Sequence, residues 1–382
     1  MRIAELMFVA SVVALAYPLA IYPMIVWLVG TFRPLPVLKA VITPRVTVLI
    51  PAYNESRSIA RTIENKLDQD YPRHLFEIIV VSDASDDGTD EIVAGYADRG
   101  VRLLRQPQRQ GKAAGLNAAV RIATGEILVF SDANSLFARD AISRFVENFA
   151  DSSVGYVTGC LTMKSDEPNV AGHGNSAYLK FENWLRYVET RAGSVVGVNG
   201  GVDAIRRDLY DDVPSDQITD FVLPLRVMAA RKRTVFDERV KSSEDANVKL
   251  GSEFRMRVRV ALRAARGLSY MRNVLNPLRY PFTAFCIWSH KVLRYVAFVF
   301  MATALVSNVM LARHSRLFAA LLIVQLALYA LALLGLLRNL PSPVRKLTAL
   351  PTYFLASNVA FAIAAARFFR GESMATWAPR AG

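Results

Sequence analysis

Two long apolar segments bracket a middle region of ordinary globular composition, and this arrangement restricts the fold more than any other feature. Residues 6–30 form one apolar run, residues 284–369 are predominantly apolar with short basic breaks, and residues 40–275 have a mixed composition. About 20 apolar residues in a helix are enough to cross a bilayer. Because hydrophobic residues make up 53% of the chain, the sequence predicts a membrane protein with a globular domain inserted between spans.

The first apolar run is expected to be an uncleaved anchor. Residues 14–16 imitate a signal cleavage site, but the run continues to Val29, beyond the apolar core of a secretory signal. Basic residues follow the run more than they precede it: Arg33, Lys39 and Arg45, against Arg2. Loops rich in Lys and Arg stay in the cytoplasm. We therefore expect a multi-pass protein of the cytoplasmic (inner) membrane, with the N-terminus outside and the globular domain in the cytoplasm.

Composition divides the chain into four parts. They are an N-terminal transmembrane anchor (1–32), a globular domain (40–250), basic and amphipathic interfacial helices (251–294) and about three C-terminal transmembrane helices (295–370). The C-terminal spans are predicted near residues 295–312, 317–337 and 348–368, and the loop Arg338–Lys346 is expected to be cytoplasmic.

Two later segments have helical amphipathicity, and each leaves two interpretations open. In residues 175–191 one face carries Tyr178, Phe181, Trp184, Leu185 and Val188. That face indicates either a helix packed on the core or one lying at the membrane surface. In residues 254–268 a basic stripe consists of Arg255, Arg259, Arg263 and Arg266. This stripe is either a solvated face or a contact for lipid or substrate phosphate.

The net charge of +13 is compatible with nucleic acid, anionic lipid or a phosphate-rich substrate. Because apolar segments flank the globular region, lipid headgroups and a phosphorylated substrate are the expected partners, and nucleic acid is not. Cys160 and Cys286 are the only cysteines, so neither a disulfide framework nor a zinc site is expected.

Strand and helix patterns alternate over residues 46–150. Short apolar runs at 46–50, 77–81, 101–104 and 127–130 are separated by helical segments, which predicts an α/β fold with a mostly parallel, doubly wound sheet. In such sheets ligands bind beyond the carboxyl ends of the strands. Polar clusters follow these strands at 51–55, 83–87 and 132–134, so we expect them to converge on one crevice.

The predicted crevice is rich in acids and lacks a phosphate-binding glycine loop. The acids are Glu55, Asp83, Asp86, Asp87 and Asp132. Gly111-Lys112 is followed by Ala113 and has no upstream glycine of the P-loop type. Carboxylates without such a loop suit a divalent cation that itself meets the phosphates.

Taken together, these motifs resemble glycosyltransferase family 2 over about residues 45–270, and the flanking spans are typical of its membrane-bound branch. Six segments follow the family's order: 46–55, 80–89, 111–119, 130–135, 196–210 and 218–236. The resemblance implies a GT-A fold, Rossmann-like with a mostly parallel sheet. It also implies transfer of a sugar from a nucleotide-sugar.

The resemblance implies roles for individual residues. Nucleotide-sugar binding is expected of Pro51, Ala52, Tyr53, Asn54, Glu55, Asp83, Lys112, Asp132, Arg255, Arg257 and Arg259. Acceptor binding is expected of Asn199, Gly200 and Gly201, and Asp220 is expected to be the catalytic base. Asp132 and Asn134 are expected to hold Mg²⁺ or Mn²⁺. Plainer roles remain open: a helix cap for Asp220, a turn cap for Asp83 and a solvated helix start for Lys112.

This chain departs from the family pattern at three places. Asn134 stands where a second acid is usual, and its neutral oxygen is a weaker ligand for a hard cation; we expect the substrate diphosphate to complete the metal site. Thr219 precedes Asp220 where the family usually has an acid. Residues 256–260 keep the arginine of the polymer synthases' Gln-x-x-Arg-Trp run without its Gln and Trp, which argues against long-chain polymerisation.

The sequence is therefore interpreted as a metal-dependent, inverting glycosyltransferase. The expected donor is a nucleoside-diphosphate sugar, most simply a UDP-sugar, and the acceptor a hydroxyl of a membrane-associated saccharide or lipid in exopolysaccharide, cell-envelope or glycolipid synthesis. Subunits of a polysaccharide export system are candidate partners. Two alternatives remain: transfer to polyprenyl phosphate, and a non-catalytic membrane subunit that binds a nucleotide or polysaccharide.

Overall fold

A computed structural model describes residues 1–164, 170–245, 250–337 and 340–374. Within them the strands are β1 (Val46–Ala52), β2 (Phe76–Ser82), β3 (Val101–Arg105), β4 (Ile127–Ser131), β5 (Leu136–Phe137), β6 (Val154–Lys164), β7 (Val202–Arg206) and β8 (Arg233–Asp245). The α-helices are α1 (Arg2–Ala16), α2 (Tyr22–Phe32), α3 (Ile59–Leu67), α4 (Thr89–Ala94), α5 (Lys112–Ile122), α6 (Ala141–Glu147), α7 (Val170–Ala192), α8 (Thr219–Ala229), α9 (Leu250–Tyr270), α10 (Pro281–Ile287), α11 (Leu293–Tyr295), α12 (Ala297–Ala312), α13 (Arg316–Leu334) and α14 (Ser342–Phe369).

The strands form one sheet in the order β3-β2-β1-β4-β7-β6-β8-β5. β1 pairs in parallel with β2 and β4, and β2 with β3, which confirms the parallel half predicted from residues 46–130. The later half is mixed: β7 is antiparallel to β4 and β6, β8 is parallel to β6, and β5 is antiparallel to β8. The carboxyl ends of β1, β2 and β4 therefore meet at one edge, as the positions of the polar clusters predict.

Alternating side chains of the central strands build a core on each face of the sheet. Val48 and Ile78 pack on the face covered by α3 and α6. Leu49 and Ile79 pack on the opposite face, beside Leu116 of α5. Because both faces are covered, β1 is buried along its whole length, which is why its sequence is apolar at every position except Thr47.

Among the described residues, three helices are long and apolar enough to cross a membrane: Arg2–Phe32, Arg316–Leu334 and Ser342–Phe369. A fourth crossing is available if Pro281–Tyr295 and Ala297–Ala312, bent by 59°, count as one broken span. The first helix contains a π-helical turn at Tyr17–Ile21, where proline interrupts the backbone hydrogen bonds. The expected topology and membrane side remain predictions.

The predicted loop Arg338–Lys346 is wrong in its second half. α14 begins at Ser342, with Pro341 before it and a second proline in its first turn, a favourable start for a helix. Arg345 and Lys346 therefore lie on the helix, whereas Arg338 falls outside the described residues.

α7 packs in a way that the amphipathic pattern did not predict. Trp184, assigned to the apolar face, is 44% exposed, whereas Glu182 and Glu189 are each 1% exposed. These two acids enter an ionic network. Glu189 accepts a hydrogen bond of 2.6 Å from the Tyr22 hydroxyl and lies 2.6 Å from His290 Nδ1. Glu182 contacts His290 and Arg294.

The network explains why the polar side of α7 faces inward, since buried carboxylates are tolerated when they are paired. It also links α7 to the first apolar helix and to the bent segment before α12. Arg186 of α7 donates from Nε to the Gly197 carbonyl at 2.7 Å, and Val196 donates its N–H to Glu189 at 3.2 Å. The same network therefore supports the start of the glycine-rich segment 196–201.

Candidate functional site

A pocket of about 260 Å³ opens at the edge where the strand ends meet. Five of the residues expected from the sequence line it: Lys112, Asp132, Gly200, Asp220 and Arg259. Its wall also contains Arg263 of the predicted basic stripe, and residues to which no role was given from the sequence: Ala113, Leu161, Met163, Ile218 and Glu244. The pocket thus brings together charged side chains from the first half of the sheet, from α8 and from α9.

Lys112 and Asp132 form an ion pair in this pocket. Lys112 Nζ lies 2.5 Å from Asp132 Oδ1, so Lys112 is not a solvated helix start. Burial opposes the ammonium charge, but Asp132 and Asp220 outweigh it and raise the pKa of Lys112. Lys112 is also the first residue of α5, where free backbone N–H groups favour an anion. A phosphate group placed here would meet a permanent positive charge.

Asp220 lies in the first turn of α8. Ile218 occupies the N-cap position, and no side-chain cap is formed, so the interpretation of Asp220 as a helix cap is wrong. Burial raises the pKa of the Asp220 carboxyl; Lys112 opposes this rise and Asp132 adds to it. A carboxylate whose pKa is raised is a stronger base at neutral pH than an exposed one, as a general base requires.

The glycines at 200 and 201 let the two carboxylates approach the backbone. A Cβ atom at Gly200 would lie 2.7 Å from Asp220 Cγ, and one at Gly201 would lie 2.8 Å from Asp132 Cγ. Gly201 also has a φ of +78°, which favours glycine. Acceptor binding by these residues stays a prediction, but their packing against both acids explains why side chains are absent here.

Asn199 makes hydrogen bonds to β6. It is buried, its N–H donates to Thr158 Oγ1 at 2.9 Å, and its Nδ2 donates to the Gly159 carbonyl at 2.8 Å. These bonds fix the glycine turn to β6 and hold Asn199 outside the pocket lining. Its expected contact with an acceptor is therefore a prediction that this geometry does not support.

Asp203 on β7 is an acid of the site that sequence reasoning missed. It is 2% exposed and accepts a hydrogen bond from the Tyr156 hydroxyl. Its Oδ1 has no hydrogen-bond partner among the described residues. Burial, reinforced by the charge of Asp220, raises the pKa of Asp203 well above its usual range. The sequence feature that could have identified Asp203 is the occurrence of an acid within a short, largely apolar strand, VDAIR.

Asp83 organises the loop that leads to Lys112. It is buried, and its Oδ1 accepts hydrogen bonds from Gln106 Nε2 at 2.8 Å and from the N–H groups of Gln110 and Gly111 at 2.7 and 3.0 Å. These bonds tie β2 to the start of α5 and are not the local turn cap. Its expected contact with a nucleotide base stays a prediction.

The segment after β1 is joined to the loop after β2. Pro51 and Ala52 are the last residues of β1 itself and are buried. Asn54, with φ of +55°, donates from Nδ2 to Asp86 Oδ1 at 2.7 Å. Glu55 donates its N–H to Thr89 Oγ1 at 2.9 Å. These contacts hold the two loops at one end of the crevice.

The Tyr53 ring makes a cation–π contact with Arg109. The guanidinium carbon of Arg109 lies 3.8 Å from the centre of that ring, a distance typical of a cation–π contact. Tyr53 therefore stands at the Asp83 end of the crevice, since Arg109 Nε is also 3.9 Å from Asp83 Oδ2. Its expected role in nucleotide binding stays a prediction.

The basic stripe of α9 does not act as one surface. Arg259 and Arg263 line the pocket, whereas Arg255 is exposed outside its lining. Arg257 faces α14: its guanidinium carbon lies 3.8 Å from the Tyr353 ring centre, and it donates to Ser357. Of the three arginines expected at the diphosphate, the structure brings Arg259 to the pocket and directs Arg257 to the last helix.

The two departures from the Gln-x-x-Arg-Trp run also face the pocket. Met256 and Val260 line it beside Arg259. Their apolar side chains occupy the wall where a polar and an aromatic residue would otherwise stand.

The oxygen ligands of the pocket suit a hard cation whose remaining ligands come from the substrate. Asp132 lines the pocket, Asn134 is half-buried outside its lining, and no cluster of three His, Cys, Asp or Glu able to hold a metal occurs among the described residues. Oxygen donors of this kind suit Mg²⁺ or Mn²⁺. The residues present therefore fit a cation bound partly by protein and partly by phosphate oxygens.

Comparisons with known proteins agree with this geometry. Residues 47–213 match the family model "Glycosyl transferase family 2". Beta-monoglucosyldiacylglycerol synthase of Trichormus variabilis is 27% identical over 172 residues, covering 44% of this chain and 37% of that protein. Poly-beta-1,6-N-acetyl-D-glucosamine synthase of Staphylococcus aureus is 27% identical over 180 residues, covering 46% and 43%. The chain thus spans about two fifths of the length of these relatives.

A solved structure is similar over almost the whole chain. The mannosyltransferase PcManGT from Pyrobaculum calidifontis, determined in complex with GDP-Man and Mn²⁺, superposes with a TM-score of 0.73 at 26% identity. The similarity covers 97% of this chain and 99% of that one. Together with the sheet and the pocket, these matches show that residues 47–213 form a glycosyl transferase family 2 domain with the GT-A fold.

Proposed function

We propose that this protein is a membrane-embedded, inverting glycosyltransferase that uses a nucleoside-diphosphate sugar, in the simplest case a UDP-sugar. The acceptor is a hydroxyl of a membrane-associated saccharide or lipid, and the reaction serves exopolysaccharide, cell-envelope or glycolipid synthesis. One observation carries the proposal: Lys112, Asp132, Asp220 and Arg259 line a single pocket at the carboxyl edge of the sheet.

The residues of the pocket divide into two chemical tasks. Lys112 and Arg259 supply positive charge for the donor diphosphate, and Asp132 would hold Mg²⁺ or Mn²⁺ together with phosphate oxygens. The cation, when bound, stabilises the negative charge of the departing diphosphate. Asp220 accepts the proton of the acceptor hydroxyl, a contribution of roughly 100- to 10,000-fold in rate. Burial of Asp220 supports this assignment because it raises the pKa of the base.

The membrane placement rests on the apolar helices and on charge. The first candidate span ends at Phe32 and is followed by Arg33, Lys39 and Arg45, so we place the pocket on the cytoplasmic face of the inner membrane. Met256 and Val260 favour a single transfer over polymerisation, because they give the pocket an apolar wall without the aromatic platform of polymer synthases.

Transfer to polyprenyl phosphate is a second candidate, favoured by the three cations Lys112, Arg259 and Arg263 in the pocket wall. An anionic acceptor needs no general base. The two functions therefore differ in their dependence on Asp220.

The test is nucleoside diphosphate release by the full chain in detergent with added membrane lipids. The donor panel includes UDP-sugars and, because PcManGT was solved with GDP-Man, GDP-mannose. Each donor is assayed with Mg²⁺, with Mn²⁺ and with EDTA. Asp132→Ala and Asp220→Asn are compared with Glu238→Gln, a matched carboxylate-to-amide control at an exposed position of β8.

Metal-dependent release that needs both Asp132 and Asp220 supports transfer to a hydroxyl. Release that survives Asp220→Asn supports transfer to polyprenyl phosphate. Silence with every donor would contradict an enzymatic role and favour a non-catalytic subunit that binds a nucleotide or polysaccharide.

A further inference from the structure

The loop that carries Asp132 (residues 132–135) has one negative charge fewer than the family pattern, because Asn134 stands where a second acid is usual. Asn134 is neutral and lies outside the lining of the pocket, which leaves Asp132 as the acid of this loop that faces the cavity. A divalent cation beside a diphosphate is commonly held by one or two carboxylates. A second carboxylate in the same wall would therefore restore the missing charge.

Glu244 is such a carboxylate. It lines the pocket with Asp132 and is 2% exposed. Its position follows from the sheet: β8 pairs antiparallel with β5, so that Ser243 lies opposite Leu136. β5 begins directly after the Asp132 loop, and the pairing thus places Glu244 beside that loop although more than 100 residues separate them in sequence.

A hydrogen-bonded chain fixes Glu244 to the loop. The Ser135 hydroxyl donates to Glu244 Oε1, and the Ser135 N–H donates to the Asp132 carbonyl at 3.1 Å. On the other side, Lys66 Nζ donates to the Ser135 carbonyl at 2.7 Å and lies over the Phe137 ring, 3.8 Å from its centre. Ser135 therefore sets the spacing between the two carboxylates.

The buried Lys66 ammonium lies next to Ser135 and near Glu244. Lys66 is fully buried and donates to the Ser135 carbonyl and to Asn65. A buried ammonium is costly unless its surroundings compensate it. Burial lowers the pKa of Lys66 well below its usual range, and the negative charge of the nearby Glu244 opposes this shift. Removing that charge while keeping the hydrogen bond to Ser135 isolates what the carboxylate does in the pocket.

We propose that Glu244 is the second carboxylate that faces the donor-bound cation, in the role predicted for Asn134. The inference rests on the proposed function, because the cation belongs to the donor site. Asp132 directly follows β4 and Glu244 lies on β8, both line the pocket, and phosphate oxygens would complete the ligand set. Asn134 is then a loop residue and not a ligand.

The experiment measures Mn²⁺ binding by electron paramagnetic resonance on the full chain in detergent, without nucleotide and with UDP or GDP. The variant Glu244→Gln keeps an oxygen that can accept from Ser135 and removes only the charge. Glu238→Gln makes the same chemical change at an exposed position of the same strand.

We expect Glu244→Gln to weaken nucleotide-dependent Mn²⁺ binding about 10- to 100-fold and Glu238→Gln to leave it unchanged. A purely structural role for Glu244 predicts unchanged Mn²⁺ affinity, since the Ser135 hydrogen bond is kept. If Glu244→Gln does not fold, Glu244→Asp keeps the charge one methylene further back. We expect it to bind Mn²⁺ more weakly than the unmodified protein.

Mn²⁺ affinity of Glu244→Gln or Glu244→Asp within twofold of the unmodified protein would overturn the inference and leave the proposed function standing. Absence of Mn²⁺ binding by the unmodified protein with either nucleotide would overturn the metal-dependent function itself.

Discussion

Gly200 offers the sharpest test of how the base is positioned. The substitution Gly200→Ala adds one methyl group, which would lie 2.7 Å from Asp220 Cγ. Non-bonded carbon atoms settle at about 3.5 Å or more, so the carboxylate must retreat by at least about 0.8 Å, because Asp220 Oδ2 lies closer to the added methyl group than Cγ does. Gly200 has no positive φ, and the backbone therefore accepts alanine without strain.

A displacement of about 1 Å at a catalytic group can cost about 100-fold in rate. We therefore expect Gly200→Ala to lower kcat about 100-fold. The donor KM should change less than about threefold, because Lys112 and Arg259 stay in place. The assay is nucleoside diphosphate release with the donor identified in the panel, and thermal unfolding checks that the variant is folded.

Gly88→Ala is the matched control. Gly88 has a φ of +91° and no heavy atom within 4 Å of an added Cβ. Alanine there costs about 1–2 kcal/mol of backbone strain without touching the pocket, so Tm should fall and kcat should not. A Gly200→Ala enzyme with unchanged kcat, or a Gly88→Ala enzyme that loses kcat equally, would refute the argument that close packing on Gly200 positions Asp220.

Three further predictions follow from the charges of the pocket. Burial holds the pKa of Asp203 above its value in the unfolded chain. Ionised Asp203 therefore destabilises the folded protein by about 1.4 kcal/mol for each unit by which the folded pKa exceeds the unfolded pKa. Asp203→Asn, which still accepts from Tyr156, should raise Tm more at pH 8 than at pH 5, and an equal rise at both would contradict this. Because the pKa of Asp220 is raised, kcat/KM should fall with decreasing pH through a midpoint above the usual carboxyl value of about 4; a midpoint at or below that value would count against Asp220 as the base. Lys112→Gln removes the ammonium 2.5 Å from Asp132 and should weaken nucleotide binding by calorimetry about 10-fold or more, with unchanged affinity as the contrary result.

The parallel half of the sheet was predictable because its signals are local. β1 and β4 are short apolar runs that end at polar clusters, and those clusters lie on one edge as strand alternation requires. The ion pair between Lys112 and Asp132 follows from the same logic, since both residues stand at this edge.

The parts that sequence reasoning missed depend on partners far along the chain. Glu182 is not on the apolar face predicted for residues 175–191, and its partners His290 and Arg294 lie more than 100 residues away, so no local pattern predicts its burial. Glu244 lies beside the Asp132 loop because β8 pairs with β5. β5 has only two residues, too few to be recognised by periodicity. Arg257 turned to the last helix because Tyr353 offers an aromatic face there.

The ionic network of α7 bears on whether the globular part can exist by itself. A truncated protein restricted to residues 40–250 would keep Glu182 and Glu189 but lose Tyr22, His290 and Arg294, with which they bond. Glu182 would keep Arg186 at 3.9 Å and Glu189 would keep the Val196 N–H, but each buried carboxylate would lose other partners at a cost of several kcal/mol, a large share of the stability of any domain. We therefore expect the apolar helices and the sheet to unfold as one unit, with no boundary of cooperative unfolding near residue 250.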